Sequence, residues 1–198
     1  APTTEATLAF DLLNDLARNA TFPQAGFDVV KAQTLTFLQQ DAVDPSSMAN
    51  RQFGRLAYGN HPYGYNMTSA TVNKLTQADV VKFYQTYYKP NNALLVIVGD
   101  LTADDAQKLT EGALGAWPSG KVPTLMKYPK AKVGDTSVIY LIDRPEAQQA
   151  TVQIGNRAID ARNPDRYALE LINTVLGGSS SSRLYSNIRE DKGYTYGI

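Results

Sequence analysis

From Gly115 to Asp135 the chain loses its periodicity, and this break limits what the rest can fold into. Pro118, Gly120, Pro123, Pro129 and Gly134 interrupt any regular pattern there, while Lys121, Lys127, Lys130 and Lys132 make the segment basic. On either side the same alternation appears, amphipathic helical stretches interspersed with short apolar or alternating runs. The expectation is an α+β chain of two domains, 1–116 and 136–198, joined by a linker over 117–135. Ala1-Pro2 offers no initiator methionine, and Gly197-Ile198 lies within a strand pattern. The chain therefore reads as a fragment, with no signal peptide in the part given.

Within the first domain, Leu8, Leu12, Leu13 and Leu16 fall at helical spacing, predicting a helix over about 5–18. A second is expected over about 26–40, with Phe27, Val30, Leu35 and Leu38 inward, and a third from Ser46 or Ser47. Thr76 with Asp79, and Thr102 with Asp105, read as capping boxes opening two further helices. Between these lies the wholly apolar run Ala93 to Val98, expected as a buried strand. Beyond the linker, Val138 to Ile142 and the alternating Ala150, Val152 and Ile154 suggest an antiparallel pair turning at Arg144-Pro145-Glu146. Asn163-Pro164 then opens a helix carrying Ala168, Leu171, Ile172 and Val175, which Gly177 stops.

Nineteen basic residues balance nineteen acidic ones, which argues against nucleic acid as the main partner. No apolar run approaches the roughly 20 residues of a membrane span. Cysteine is absent, so disulfides, thiolate metal sites and cysteine nucleophiles are excluded together.

A catalytic zinc needs three protein ligands and an open position for water. His61 is the one histidine, and Pro62 follows it, so no two-histidine helical motif exists and a structural role is expected. Ser179 to Ser182 lack the Gly-x-Ser-x-Gly elbow and a nearby base, which leaves them as caps for a helix beginning near Arg183. Gly177-Gly178 lacks the phosphate-loop pattern. The strip from Gly177 to Ile198 is richer: Arg183, Arg189, Tyr185, Tyr194 and Tyr196 crowd into it. Arg189 and Lys192 fit the last turn of a short helix, where cations offset the dipole, with Tyr194 and Tyr196 on one strand face. Alternatively, a guanidinium and a phenol hydroxyl converge there on the carbonyl of a bound peptide.

Several motifs occur in an order that resembles the insulinase/pitrilysin-type zinc metallopeptidases, in the bacterial, mitochondrial-processing-peptidase-like branch. They are His61-Pro62-Tyr63-Gly64, Tyr87 to Asn92, Val96 to Asp100, Gln148-Gln149-Ala150, Leu176-Gly177-Gly178, Ser182-Arg183-Leu184 and Ile188 to Gly197. The resemblance implies two related domains of helices packed on a mainly antiparallel sheet, both incomplete here. Residues 1–116 would be the C-terminal part of the first and 136–198 the N-terminal part of the second. It also implies that Arg189, with Tyr196 or else Tyr194, binds substrate; Tyr196 is favoured. The family's His-x-x-Glu-His zinc motif is absent, and its place lies before residue 1. The third ligand, a glutamate expected around Leu35 to Leu38, is also missing, since Thr34 to Gln40 contains no carboxylate.

The resulting expectation is a zinc-free, inactive peptidase-like chain with no cofactor of its own and no catalytic or metal-ligating residue. It would supply peptide binding to a zinc-bearing homologous subunit or domain, with unfolded peptide as substrate and the periplasm, by resemblance, as location. The alternative is a scaffold or peptide-binding module with no role in proteolysis. Cut sheet edges would favour some homo-oligomerisation.

Overall fold

Threonine and aspartate caps set where several of the helices begin. The computed structural model describes residues 1–124, 126–128 and 137–198. Its helices are α1 (Ala6–Arg18), α2 (Gln24–Asp41), α3 (Pro45–Tyr58), α4 (Ser69–Lys74), α5 (Gln77–Tyr87), α6 (Ala103–Leu114) and α7 (Arg166–Gly177), followed by a π-helix, Tyr185–Asp191. At α5, Thr76 Oγ1 accepts from Asp79 N at 3.2 Å while Asp79 Oδ2 accepts from Thr76 N at 2.9 Å, the reciprocal pair read from the sequence. At α6 the Thr102 hydroxyl accepts from Asp105 N at 3.2 Å and donates to Asp105 Oδ2 at 2.6 Å. Asp44 caps α3, accepting from Ser47 N at 2.7 Å, with Pro45 at the first helical position.

The same bonds make the caps acid-sensitive. The Ser47 amide holds the Asp44 carboxyl below its ordinary value of 3.8, and the Thr76 side chain does the same for Asp79. A carboxylate depressed in the folded state stabilises fully above the unfolded value, and that contribution fades as pH falls through the folded one. Helical circular dichroism should therefore begin to fall below about pH 4. Asp44→Asn with Asp79→Asn should flatten that limb; an unchanged profile would show that the caps do not set it.

The chain divides into two compact units, Ala1–Gln153 and Ile154–Ile198. Of the expected linker, 117–135, residue 125 and residues 129–135 lie outside the described residues. In the first unit, α1 packs on α6, α2 on α4, and α3 on the 3-10 turn Pro62–Gly64. Lys31 Nζ donates to Asn73 O and Leu75 O at 2.9 and 2.8 Å, closing the carbonyl end of α4. Phe22 has a left-handed backbone, φ 47°, which costs a non-glycine residue energy. Gln77 Nε2 holds its carbonyl at 2.9 Å, and its ring meets Tyr84 edge-on at 5.2 Å. Tyr84 Oη in turn donates to Ala17 O at 2.9 Å, so α5 clamps the α1–α2 turn. In the second unit, Gly178 follows α7 where a Cβ would sit 2.7 Å from Thr174 Cα, so only glycine fits.

Several expectations need correction. Among the described residues there is no strand, so the α+β fold with helices layered on an antiparallel sheet is overturned; the chain is helical. The three runs expected as strands have no ladder partner. Leu94, Val98, Ile139, Leu141 and Ile154 are each about nine-tenths exposed. Alternation and β-branching state how a strand would face, but paired backbones on a neighbour are what make one. With no sheet, the cut edges that favoured self-association are also absent among these residues. Helix facing differs too: α1 buries Phe10, while Leu8, Leu12 and Leu16 are exposed, as is Val30 of α2. Only Phe10, Leu38 and Val72 are buried apolar side chains among the described residues.

Candidate functional site

Tyr185 and Arg189 lie four residues apart, so one helical turn stacks their side chains. The π-helix that carries them ends at Asp191, and two residues on, Gly193 has a φ of 63°, the left-handed geometry glycine takes without strain. Gly193 N donates to Arg189 O and Tyr194 N to Ile188 O, both at 3.0 Å. The chain thus turns back over its own helix. Tyr196 O comes to accept from Arg189 Nη1 at 3.0 Å, and Arg189 Nη1 also donates to Tyr185 Oη. The guanidinium carbon lies 4.3 Å from the Tyr196 ring centre and 4.8 Å from that of Tyr185. Arg189 Nε is 3.5 Å from Glu190 Oε1. The cation thus lies over two aromatic rings while donating to a hydroxyl and a carbonyl, an arrangement suited to a planar guanidinium and not to an ammonium.

Of the residues singled out in the sequence, the structure brings Arg189 and Tyr196 together. The Arg189 side chain is 29% exposed, whereas Tyr196 is 85% exposed. The Tyr196 hydroxyl has no internal partner, so it is free to donate. The Tyr194 side chain is also exposed and makes neither hydrogen bond nor ring contact. Tyr185 was noted in the strip but not assigned to the site, although its spacing from Arg189 was the available signal. The strand expected after the short helix is irregular chain, in which Thr195 Oγ1 donates to Gly197 O at 2.9 Å.

The serines do not cap by side chain. Ser182 O accepts from Ser186 N at 3.0 Å, as an N-cap carbonyl does. Its hydroxyl, however, is buried and has no partner, and Ser179 Oγ and Ser181 Oγ bond to each other at 3.2 Å. His61 Nδ1 accepts from Tyr63 N at 3.2 Å, and its ring packs among Tyr58, Tyr63 and Tyr128.

These donors do not fit zinc. Among the described residues no three of His, Cys, Asp or Glu are grouped to hold a metal ion. The two carboxylates of α2 are engaged elsewhere: Asp28 accepts from Gln24 Nε2 at 2.8 Å, and Asp41 pairs with Arg51 at 3.0 Å. Metal analysis of the purified chain should find well below one zinc per chain. One tightly bound zinc would overturn this.

Residues 74–198 match the family model described as the peptidase M16 inactive domain. The chain is 26% identical over 195 residues to the uncharacterized zinc protease YmxG of Bacillus subtilis, covering 98% of the chain and 46% of that protein. It is 27% identical over 154 residues to the zinc protease PqqE of Helicobacter pylori, covering 75% and 34%. The chain thus spans about half the length, or less, of the curated relatives it matches. A peptidase M16 inactive domain from Pseudomonas fluorescens superposes with a TM-score of 0.77 at 23% identity, over 99% of this chain and 47% of that one. The first half of the periplasmic protease PqqL of Escherichia coli gives 0.53 at 23% identity, over 68% and 29%. At these identities the structural likeness is one of fold. None of the described helices is long and apolar enough to cross a membrane.

Proposed function

The chain belongs to the peptidase M16 inactive-domain family, and on that premise we propose that it grips peptide for a zinc-bearing partner domain or subunit that cuts. The observation that carries this is the meeting of Arg189 and Tyr196 in an exposed strip, with a phenol hydroxyl left without an internal partner. Both groups donate hydrogen bonds, and a carbonyl of an extended, unfolded peptide accepts them. As the peptide is attacked, charge develops on that oxygen, and a fixed guanidinium stabilises it. The remaining half of a site, the metal and its water, would come from the partner, since among the described residues no group is placed to hold a metal ion. A periplasmic location belongs to the same proposal, supported by the description of the Escherichia coli neighbour.

The test is peptidase activity of the chain assembled with its zinc-bearing partner. The Arg189→Ala and Tyr196→Phe variants should lose activity, and the chain alone should cleave nothing. Full activity in the double variant would instead favour a scaffold.

A further inference from the structure

Arginine has five N–H donors, and a carboxylate is held best by two of them on different nitrogens, in a planar fork. In this structure the Nη1 side of the fork is committed. Both hydrogens of Arg189 Nη1 are taken, one by Tyr185 Oη and one by Tyr196 O. The Nε edge faces Glu190 Oε1 at 3.5 Å. That leaves Nη2 without an internal acceptor, beside an Nε that makes no hydrogen bond but faces the Glu190 charge. One nitrogen suits one neutral carbonyl. A carboxylate would need either Nη1 or Nε as its second donor, and on the Nε side it would also meet the charge of Glu190.

We infer that Tyr185 and Glu190 make Arg189 selective, so that it accepts an internal peptide carbonyl and discriminates against the free carboxylate of a peptide end. This rests on the reading of Arg189 as a peptide-binding residue and adds the class of group it takes. Tyr185 is a positioning residue: its ring stacks on the guanidinium, and its hydroxyl closes one side of the fork. The aromatic ring fixes where the cation lies, while the hydroxyl decides how many donors it shows.

The experiment compares one fluorescein-labelled unstructured peptide in two forms, with an amidated or a free C-terminus, by fluorescence anisotropy on the whole chain. The parent should bind the two forms about equally, because both offer internal carbonyls. Tyr185→Phe keeps the ring and frees an Nη1 hydrogen, so it should shift the amide-to-acid preference toward the acid at least threefold. Glu190→Gln should shift it in the same direction, and serves if Tyr185→Phe does not fold. Arg189→Ala should weaken both peptides. If it does so while neither other variant moves the ratio, the selectivity inference fails and the peptide reading stands. If the parent binds neither peptide, or Arg189→Ala binds both as the parent does, the peptide reading fails and this inference with it.

Discussion

Replacing Arg189 with alanine should lower kcat/KM of the partner-assembled peptidase by roughly a hundred- to a thousandfold, the usual cost of removing one donor from developing oxyanion charge. The loss should fall on KM as well as kcat, because Arg189 holds the neutral carbonyl of the bound peptide and the bond strengthens as charge grows toward the transition state. Arg189→Lys should recover little. An ammonium cannot lie flat over the Tyr185 and Tyr196 rings while donating to the Tyr196 carbonyl. Tyr196→Phe removes one hydroxyl but keeps the ring and the carbonyl that hold Arg189, so about tenfold is expected, near the worth of one hydrogen bond. Tyr194→Phe is the internal comparison, since that side chain makes neither hydrogen bond nor ring contact. If Tyr194→Phe cost about tenfold and Tyr196→Phe nothing, the two-tyrosine ambiguity would be decided the other way. If Arg189→Ala left kcat/KM unchanged, the guanidinium would be a fixture of the C-terminal turn and the chain a scaffold.

How much of this could be read from the sequence depends on how local each cause is. The starts of α5 and α6 were legible because a threonine and an aspartate three residues apart settle them without help from the rest of the chain. α4 was missed although Thr68 and Thr71 form a reciprocal cap there; six residues are too few to display periodicity. Facing was less legible than position. The stripe of Leu8, Leu12 and Leu16 states which side of α1 is most apolar, but packing against α6 buries Phe10 instead. The expected strands failed for a related reason, since Ala93 to Val98 carries the right side chains and no partner backbone. At the site, Arg189 and Tyr196 could be singled out by resemblance, and Tyr185 by its spacing. What spacing does not reveal is that Gly193 folds the chain back, placing the Tyr196 carbonyl rather than the Tyr194 side chain on the guanidinium.

Phe10→Ala should be the most destabilising single substitution in the first unit, by about 3–5 kcal/mol, as for other buried phenylalanines truncated to alanine. Phe10 is 9% exposed and, with Leu101, Leu109 and Ala113, lines the cleft where α1 meets α6. That cleft already holds about 420 Å³, so removing the ring enlarges a gap that α6 cannot fill without moving. Few other buried apolar side chains are present among the described residues to compensate, and the loss is roughly a fifth or more of a typical domain's stability. Urea denaturation followed by circular dichroism should show the midpoint fall with little change in slope. Leu16→Ala, on the same helix but 71% exposed, should stay within about 0.5 kcal/mol. Equal effects from the two would mean that the leucine stripe is covered in solution, by a second copy or by further chain. Both midpoints would then depend on protein concentration if a copy does the covering, because association stabilises by mass action.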